Sequence, residues 1–477
     1  MPTNSSYDAI VIGAGPNGLA AAITLAEAGQ RVVVLEANET AGGGVRSLPL
    51  TKPGFVHDFG AAVFPLGLGS PFFKRLPLER YGLRWIHPDM PLAHPLDGGR
   101  AALLHRSVEA TAAGLGRDRA AYRRLFEPLA AAWPKLAEEI LQPLVHLPRH
   151  LPALAGFGLR AILPIQTLAD LAFHDEPARA LWAGSAAHAA LPFSAVGGSA
   201  FGLVLGALGH RVGWPIPEGG AQAITDALVA HLTALGGEVV TGERVTDLVD
   251  LPATRAVLAD VSPETMLMLA GDRLPARYRS ALEGWQRGPA AFKLDYALDG
   301  PIPWANPDCA RAATVHLGGT LEEIAASERA AADGRPDPNP YVLLAQPSLF
   351  DSTRAPGGKH TAWAYSHVPL GSTMDVTATI EAQIERFAPG FRDRVIARNV
   401  LPPAALERHD ANLVGGDIFG GSQDLWQVAA RPVFRPNPYE TGVPGLYLCS
   451  SSTPPGGGVH GMCGYNAARS ALRDVFA

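Results

Sequence analysis

The sequence predicts an α/β protein in which a Rossmann-like, discontinuous domain sits beside an α+β domain containing a mixed or antiparallel sheet and a helical insertion. Three observations carry this reading. A glycine-rich turn joins an apolar strand to a helix near the N-terminus. Alternating strand and helix texture then disappears into a long helical stretch before it returns. A second glycine-rich strand–loop–helix passage closes the chain. At 477 residues the chain also exceeds the ~250–300 at which single cores stop growing, so a second domain is expected.

The elements follow in order. Tyr7–Ile12 is apolar and β-prone, Gly18–Ala28 is Ala-rich and helical, and Arg31–Leu35 is a Val-rich buried strand, which together make one βαβ unit. From about Tyr81 to Val212 the pattern reads as largely helical, with Ala/Leu/Arg-rich segments punctuated by Pro and Gly. A helix from Ala221 to Leu235 and a strand at Glu238–Thr241 restore the α/β texture. Four strand-like runs then succeed one another: Ala291–Leu298, Arg311–Leu317, Tyr341–Gln346 and Thr361–Val368. A helix near Val376–Phe387, a strand at Gly445–Cys449 and a terminal helix complete the chain. The domains expected from this are 1–80, 213–289 and 435–477 for the dinucleotide fold, and 81–212 with 290–434 for the substrate domain.

Charge and cysteine usage narrow the function classes. A net charge of −6 and a pI near 6.2, with no basic run, exclude the concentrated Lys/Arg surface that nucleic acid requires. Cys309, Cys449 and Cys463 form no C-x-x-C pair, so neither a disulfide scaffold nor a metal site is expected. Met1–Ser6 lacks the charged and apolar regions of a signal peptide. A cytoplasmic location fits best. The apolar stretch Leu141–Phe173 is interrupted by Arg149, His150, Arg160 and prolines; it reads as helices walling a core, with peripheral membrane contact as the alternative.

The sharpest motif is Gly13-Ala14-Gly15-Pro16-Asn17-Gly18, directly after the first strand and opening its helix, with Glu36 and Ala37 ending the second strand. Gly13 permits the tight turn, Gly15 lets backbone N–H groups approach a pyrophosphate, and Gly18 allows close packing of helix on strand. Glu36 is placed to accept hydrogen bonds from an adenosine ribose and to repel a 2′-phosphate.

Further motifs resemble those of the FAD-binding amine-oxidase and phytoene-desaturase superfamily. Gly42-Gly43-Gly44-Val45-Arg46-Ser47 is similar to its double-glycine segment, and Phe55-Val56-His57-Asp58-Phe59-Gly60 to its apolar-Asp-x-Gly stretch. Pro444 to Cys449 and Thr453-Pro454-Pro455-Gly456-Gly457-Gly458-Val459-His460-Gly461 are similar to its C-terminal flavin segment. Within that superfamily the likeness, which includes Gly415-Gly416-Asp417, is to the phytoene-desaturase-related oxidoreductases. The resemblance implies FAD as cofactor and Gly43, Gly44, Val45, Arg46, Val245, Gly457, Gly458, Val459 and His460 as further contacts to it. One departure stands out: the meander that usually follows the strand near Thr241 is abbreviated, because Val257-Leu258-Ala259-Asp260 arrives almost at once.

Flavin supplies the difficult chemistry, so few protein groups are required. Lys293, one of only five lysines, lies in an apolar strand with Phe292 and Leu294 on the opposite face. By resemblance it holds a water at flavin N5; the alternative is a solvated sheet residue. His460 is a candidate for substrate or ring contact against a backbone-bonded loop histidine, and Asp417 for substrate orientation against an Asx turn. Trp363, Trp426 and Tyr465 are candidates for an aromatic cavity wall. No second glycine cluster has a strand–turn–helix–acid frame, which points to oxygen or a quinone as electron acceptor. The expected reaction is hydride transfer from a small apolar substrate, with amine oxidation second; a binding protein of the GDP-dissociation-inhibitor kind is the non-enzyme alternative.

Overall fold

The computed structural model describes residues 7–477; the signal-peptide reading of Met1–Ser6 lies outside them. Ala9–Ile12 and Val32–Leu35 are uniformly buried, as near-continuous Val/Ile strands must be when both faces of a parallel sheet are covered. They pair in parallel at the middle of a five-stranded sheet. Its order is Leu446–Leu448, Ala256–Ala259, Ala9–Ile12, Val32–Leu35, Glu238–Val240, and every pairing is parallel. Between the last two strands to enter from the middle of the sequence, residues 241–255 contain only a short 3₁₀ turn at Leu248–Asp250.

The helix Pro16–Glu27 buries Asn17 through Ala26 and packs against the terminal helix Met462–Asp474 with almost no side chain between the two backbones. A Cβ on Gly464 would stand 1.7 Å from the carbonyl oxygen of Asn17. The last helix of the chain is thereby seated against the first.

The second sheet has seven strands in the order Val395–Leu401, Ala290–Leu298, His360–Val368, Val342–Ala345, Ala312–Leu317, Met90–Leu96, Arg100–Leu104. All pairings are antiparallel except Met90–Leu96 with Ala312–Leu317. Phe292, Leu294 and Tyr296 point into one core with Ile380, Ile384 and Phe391. The intervening Ala291 and Lys293 face the other way, as strand alternation requires.

Two readings of the sequence need correction. The stretch beginning at Tyr81 is not helical throughout, since Met90–Leu96 and Arg100–Leu104 form a hairpin belonging to the second sheet. Pro91 and Pro95 break the strand pattern there, and tertiary pairing overrides them. The strand Val395–Leu401 was not anticipated either: it is an edge strand, partly exposed along most of its length, so its apolar alternation is weak.

From Leu151 to Ala172 two short helices, Leu151–Ala161 and Ile165–Ala172, meet at 100°. Among the described residues no single helix is long and apolar enough to cross a membrane.

Candidate flavin and substrate site

One continuous cavity runs from the edge of the parallel sheet to the face of the seven-stranded sheet. At its first end lies the glycine-rich turn. Gly13 adopts φ +95°, and its N–H donates to the Leu35 carbonyl at 2.8 Å. A Cβ on Gly18 would sit 2.0 Å from the Gly13 carbonyl oxygen, so helix and turn can meet only at glycine. The Glu36 carboxylate is held by the backbone N–H groups of Ala14 and Asn38, both at 2.8 Å, and by the Asn38 side chain at 2.9 Å. It is 5% exposed and lines the cavity with Ala37.

Of the predicted contacts, Gly13, Gly15, Pro16, Asn17, Glu36, Ala37, Gly43, Gly44, Val45, Val245, Gly457, Gly458 and Val459 all line this cavity, and Lys293 lines its inner end. Residues 400 or more apart in sequence thus converge. The buried Asn17 Oδ1 has no protein partner, and a Cβ on Gly44 would enter open space. A long cavity with glycine-lined walls, a helix N-terminus and a buried carboxylate at the ribose position fits FAD.

Other predicted residues are placed behind the wall. Arg46 donates to the Gly43 carbonyl at 2.8 Å and to the His409 carbonyl at 2.6 Å, bracing the double-glycine turn. Gly18 turns its N–H to the Asp260 carboxyl. His460 does not face the cavity: Nδ1 accepts from the Met462 N–H at 3.0 Å and Nε2 bonds the Gly456 carbonyl at 3.2 Å. Burial pushes this imidazole down to about 4, so it is neutral. Asp417 is fully buried; Oδ1 accepts the Phe419 N–H at 2.8 Å and Oδ2 meets Arg287 at 3.3 Å. The candidate roles of His460 and Asp417 in catalysis are therefore corrected to structural ones, a loop histidine and an Asx turn. What Asp417 does is set the position of Phe419, which with Ile418 lines the cavity.

Among the aromatic candidates only Trp363 lines the cavity, edge-on to Tyr365 with ring centroids 5.2 Å apart. Trp426 is 72% exposed and stacks on Phe434, and Tyr465 packs against Phe72. Lys293 is not a solvated residue. It is 3% exposed, bonded to Asp295 at 2.5 Å and 5.7 Å from the Trp363 ring. Burial lowers its ammonium pKa, opposed by the Asp295 carboxylate.

Sequence reasoning missed the segment Leu406–Leu413. Asn412 bonds the Asp260 carbonyl at 2.9 Å and accepts the Ser262 N–H at 2.8 Å. Asp410 and Asp260 both line the cavity. The only signal was the position of Asp260 at a strand end, where α/β folds gather their ligand contacts.

Cavity, glycine cradle and second sheet together define an FAD-dependent oxidoreductase. The chain belongs to the flavin containing amine oxidoreductase family, whose model matches residues 17–274. It is 30% identical to rat (Rattus norvegicus) pyridine nucleotide-disulfide oxidoreductase domain-containing protein 2, over 98% of this chain and 94% of the relative. It is 26% identical to the neurosporene-forming phytoene desaturase of Rhodobacter capsulatus, over 96% and 92%. Putrescine oxidase with putrescine bound shares the fold at TM-score 0.63 and 17% identity, over 99% of this chain and 100% of that one.

Proposed function

We propose that this enzyme removes hydride from an apolar substrate, a polyene, terpenoid or acyl chain, in a desaturation, oxidation or isomerisation. The observation that carries it is the distribution of charge along the cavity. Its lining carboxylates, Glu36, Glu243, Asp260 and Asp410, stand at or beside the glycine-rich turns and the strand ends of the parallel sheet. The inner end is walled mainly by Leu205, Trp214, Ala291, Leu343, Trp363 and Tyr365, with Thr314 and the neutral His188 among them and Lys293 as its cation. Bound flavin supplies the hydride acceptor at N5. The protein supplies an apolar slot that orients a hydrocarbon without a charged anchor, gaining roughly 25 cal/mol per Å² buried. No carboxylate on that wall offers a cationic amine an anchor, and Lys293 repels it.

The test is an anaerobic screen of the holoenzyme. Alkenes and acyl chains should perturb or bleach the flavin spectrum, while small primary amines leave it unchanged. Selective bleaching by amines overturns the reading in favour of amine oxidation. Reoxidation is assigned to oxygen or a quinone, compared directly by mixing reduced enzyme with each.

Peripheral membrane contact at a cytoplasmic face is part of the same proposal. It is supported by the exposed side chains Leu147, Leu151, Leu159, Ile162 and Leu171, in the stretch from Leu141 to Phe173 that holds Arg149 and Arg160 and a single acidic residue, Asp170. Flotation with anionic vesicles, lost in a Leu151→Asp/Leu159→Asp variant, is the expected result.

A further inference from the structure

Behind the inner cavity wall lies a chain of buried polar groups that substrate binding does not use. Lys293 Nζ lies 2.5 Å from Asp295 Oδ1. Asp295 Oδ1 is 3.9 Å from His57 Nδ1. His57 Nε2 lies 2.7 Å from Thr51 Oγ1. Lys293, Asp295 and His57 are 3%, 0% and 2% exposed, whereas Thr51 is half-buried beside exposed Lys52. The buried atom His57 Nδ1 has no hydrogen-bond partner, while Asn399, opposite Asp295 on the neighbouring strand, is a second hydrogen-bonding neighbour of its carboxylate. Unpaired buried polar atoms are costly enough to call for an explanation.

We propose that Lys293, Asp295, His57 and Thr51 form a proton path between the reaction cavity and solvent, with His57 as its positioning residue. This rests on the oxidoreductase reading above. Oxidation of a C–H substrate releases a hydride equivalent, which the flavin takes, and one proton, which is all that the path carries. Within the ion pair Lys293 Nζ holds the labile proton against Asp295 Oδ1, and burial, which disfavours the charged form of each, eases its transfer to the carboxylate, leaving an amine and a carboxyl. A proton arriving at the Lys293 amine is matched by one passing from the Asp295 carboxyl to His57 Nδ1. His57 then releases its Nε2 proton through the Thr51 hydroxyl to water. No other bond changes.

The imidazole suits a relay because it is neutral: burial first, then the Lys293 and Arg354 cations, push its pKa down to about 3. Other charged or titratable groups facing the path are Asp58, which is paired with Arg354 at 2.7 Å, and His409. Asp58 is committed elsewhere, its Oδ1 accepting from Ser47 and the Ala221 N–H, so it offers no competing route. Proton transfer needs heavy atoms about 2.6–3.2 Å apart or one bridging water, so the 3.9 Å separation of Asp295 and His57 is closed by a small side-chain motion or a single water when the proton passes.

The experiment photoreduces the holoenzyme in weakly buffered solution containing a pH-indicator dye, recording electron arrival at the flavin band and proton uptake at the dye. It uses no substrate, so an incorrect substrate class does not affect it. In the wild type, proton uptake should keep pace with flavin reduction. His57→Phe and His57→Gln should delay it at least tenfold, with FAD content and melting temperature unchanged, and added imidazole should restore the pace in His57→Phe. If His57→Phe fails to fold, His57→Gln carries the test, since it keeps a polar side chain but cannot pass a proton. Uptake in a folded variant as fast as wild type, or a delay in His57→Phe that imidazole leaves untouched, overturns the proposal.

Discussion

The carboxyl of Asp260 accepts the amide N–H of Gly18 at 2.8 Å across a separation of 242 residues, joining the end of the strand Ala256–Ala259 to the first turn of the helix Pro16–Glu27. Burial raises this carboxyl to about 8, opposed by the Gly18 bond and reinforced by Asp410 and Glu36. The folded protein therefore holds a proton that the unfolded chain loses near the ordinary aspartate value of 3.8. Its stabilising contribution is fully present below that value and is lost as pH rises towards 8. The melting temperature of the apoprotein should carry a component that falls across this window, and Asp260→Asn should remove it. Parallel pH profiles for wild type and variant would count against this.

The same carboxyl stands where a dinucleotide brings negative charge. FAD affinity should weaken in the wild type as pH passes about 8 and hold steadier in Asp260→Asn, which keeps a polar group facing Gly18 but cannot ionise. Flavin fluorescence titrations at pH 7 and 9 separate the outcomes.

Gly18→Ala should be more damaging than an ordinary exposed-helix substitution. Its Cβ would lie 2.0 Å from the Gly13 carbonyl oxygen and 3.3 Å from the Asp260 Cβ, so helix, turn and strand must separate. Soluble yield and FAD content should both fall sharply; retention of wild-type flavin content would show that the turn can open.

Lys293→Met should cost stability as well as activity. It leaves the Asp295 carboxylate buried without its 2.5 Å partner, a loss of about 3–5 kcal/mol for a buried pair broken on one side. Lys293→Met/Asp295→Asn should recover most of that stability in denaturant titrations while flavin reduction or reoxidation stays slow. Equal stability of the single and double variants would refute the pairing.

Glu36→Arg removes an acceptor already bonded to Ala14 and Asn38 and puts a cation at the ribose position. Hydrogen bonds to a charged group are worth about 1.5–3 kcal/mol, so FAD should bind roughly tenfold more weakly or worse. Acid precipitation of the wild type should release free FAD into the supernatant, since none of the buried cysteines lines the cavity.

The sequence by itself determined the dinucleotide-binding turn, the acid at Glu36, the glycine segments around Gly43 and Gly457, and the alternation that turns Lys293 away from Phe292 and Leu294. These features are local: a tight turn, a strand period of two and a helix N-terminus each leave their mark within a few adjacent residues. What surrounds Lys293 was decided only by the tertiary structure. Asp295 stands two positions along the same strand, but His57, Thr51 and Trp363 arrive from distant segments, and only their packing makes Lys293 a buried ion pair. Asp260 became a neighbour of Gly18 in the same way. His460 and Asp417 share the composition of catalytic residues, yet the direction of each side chain was set by partners, Met462, Gly456, Phe419 and Arg287, that engage only once the loops are folded. Burial and the long-range partner of a polar group are properties of the packed chain, and they decide whether such a group does chemistry or holds a loop.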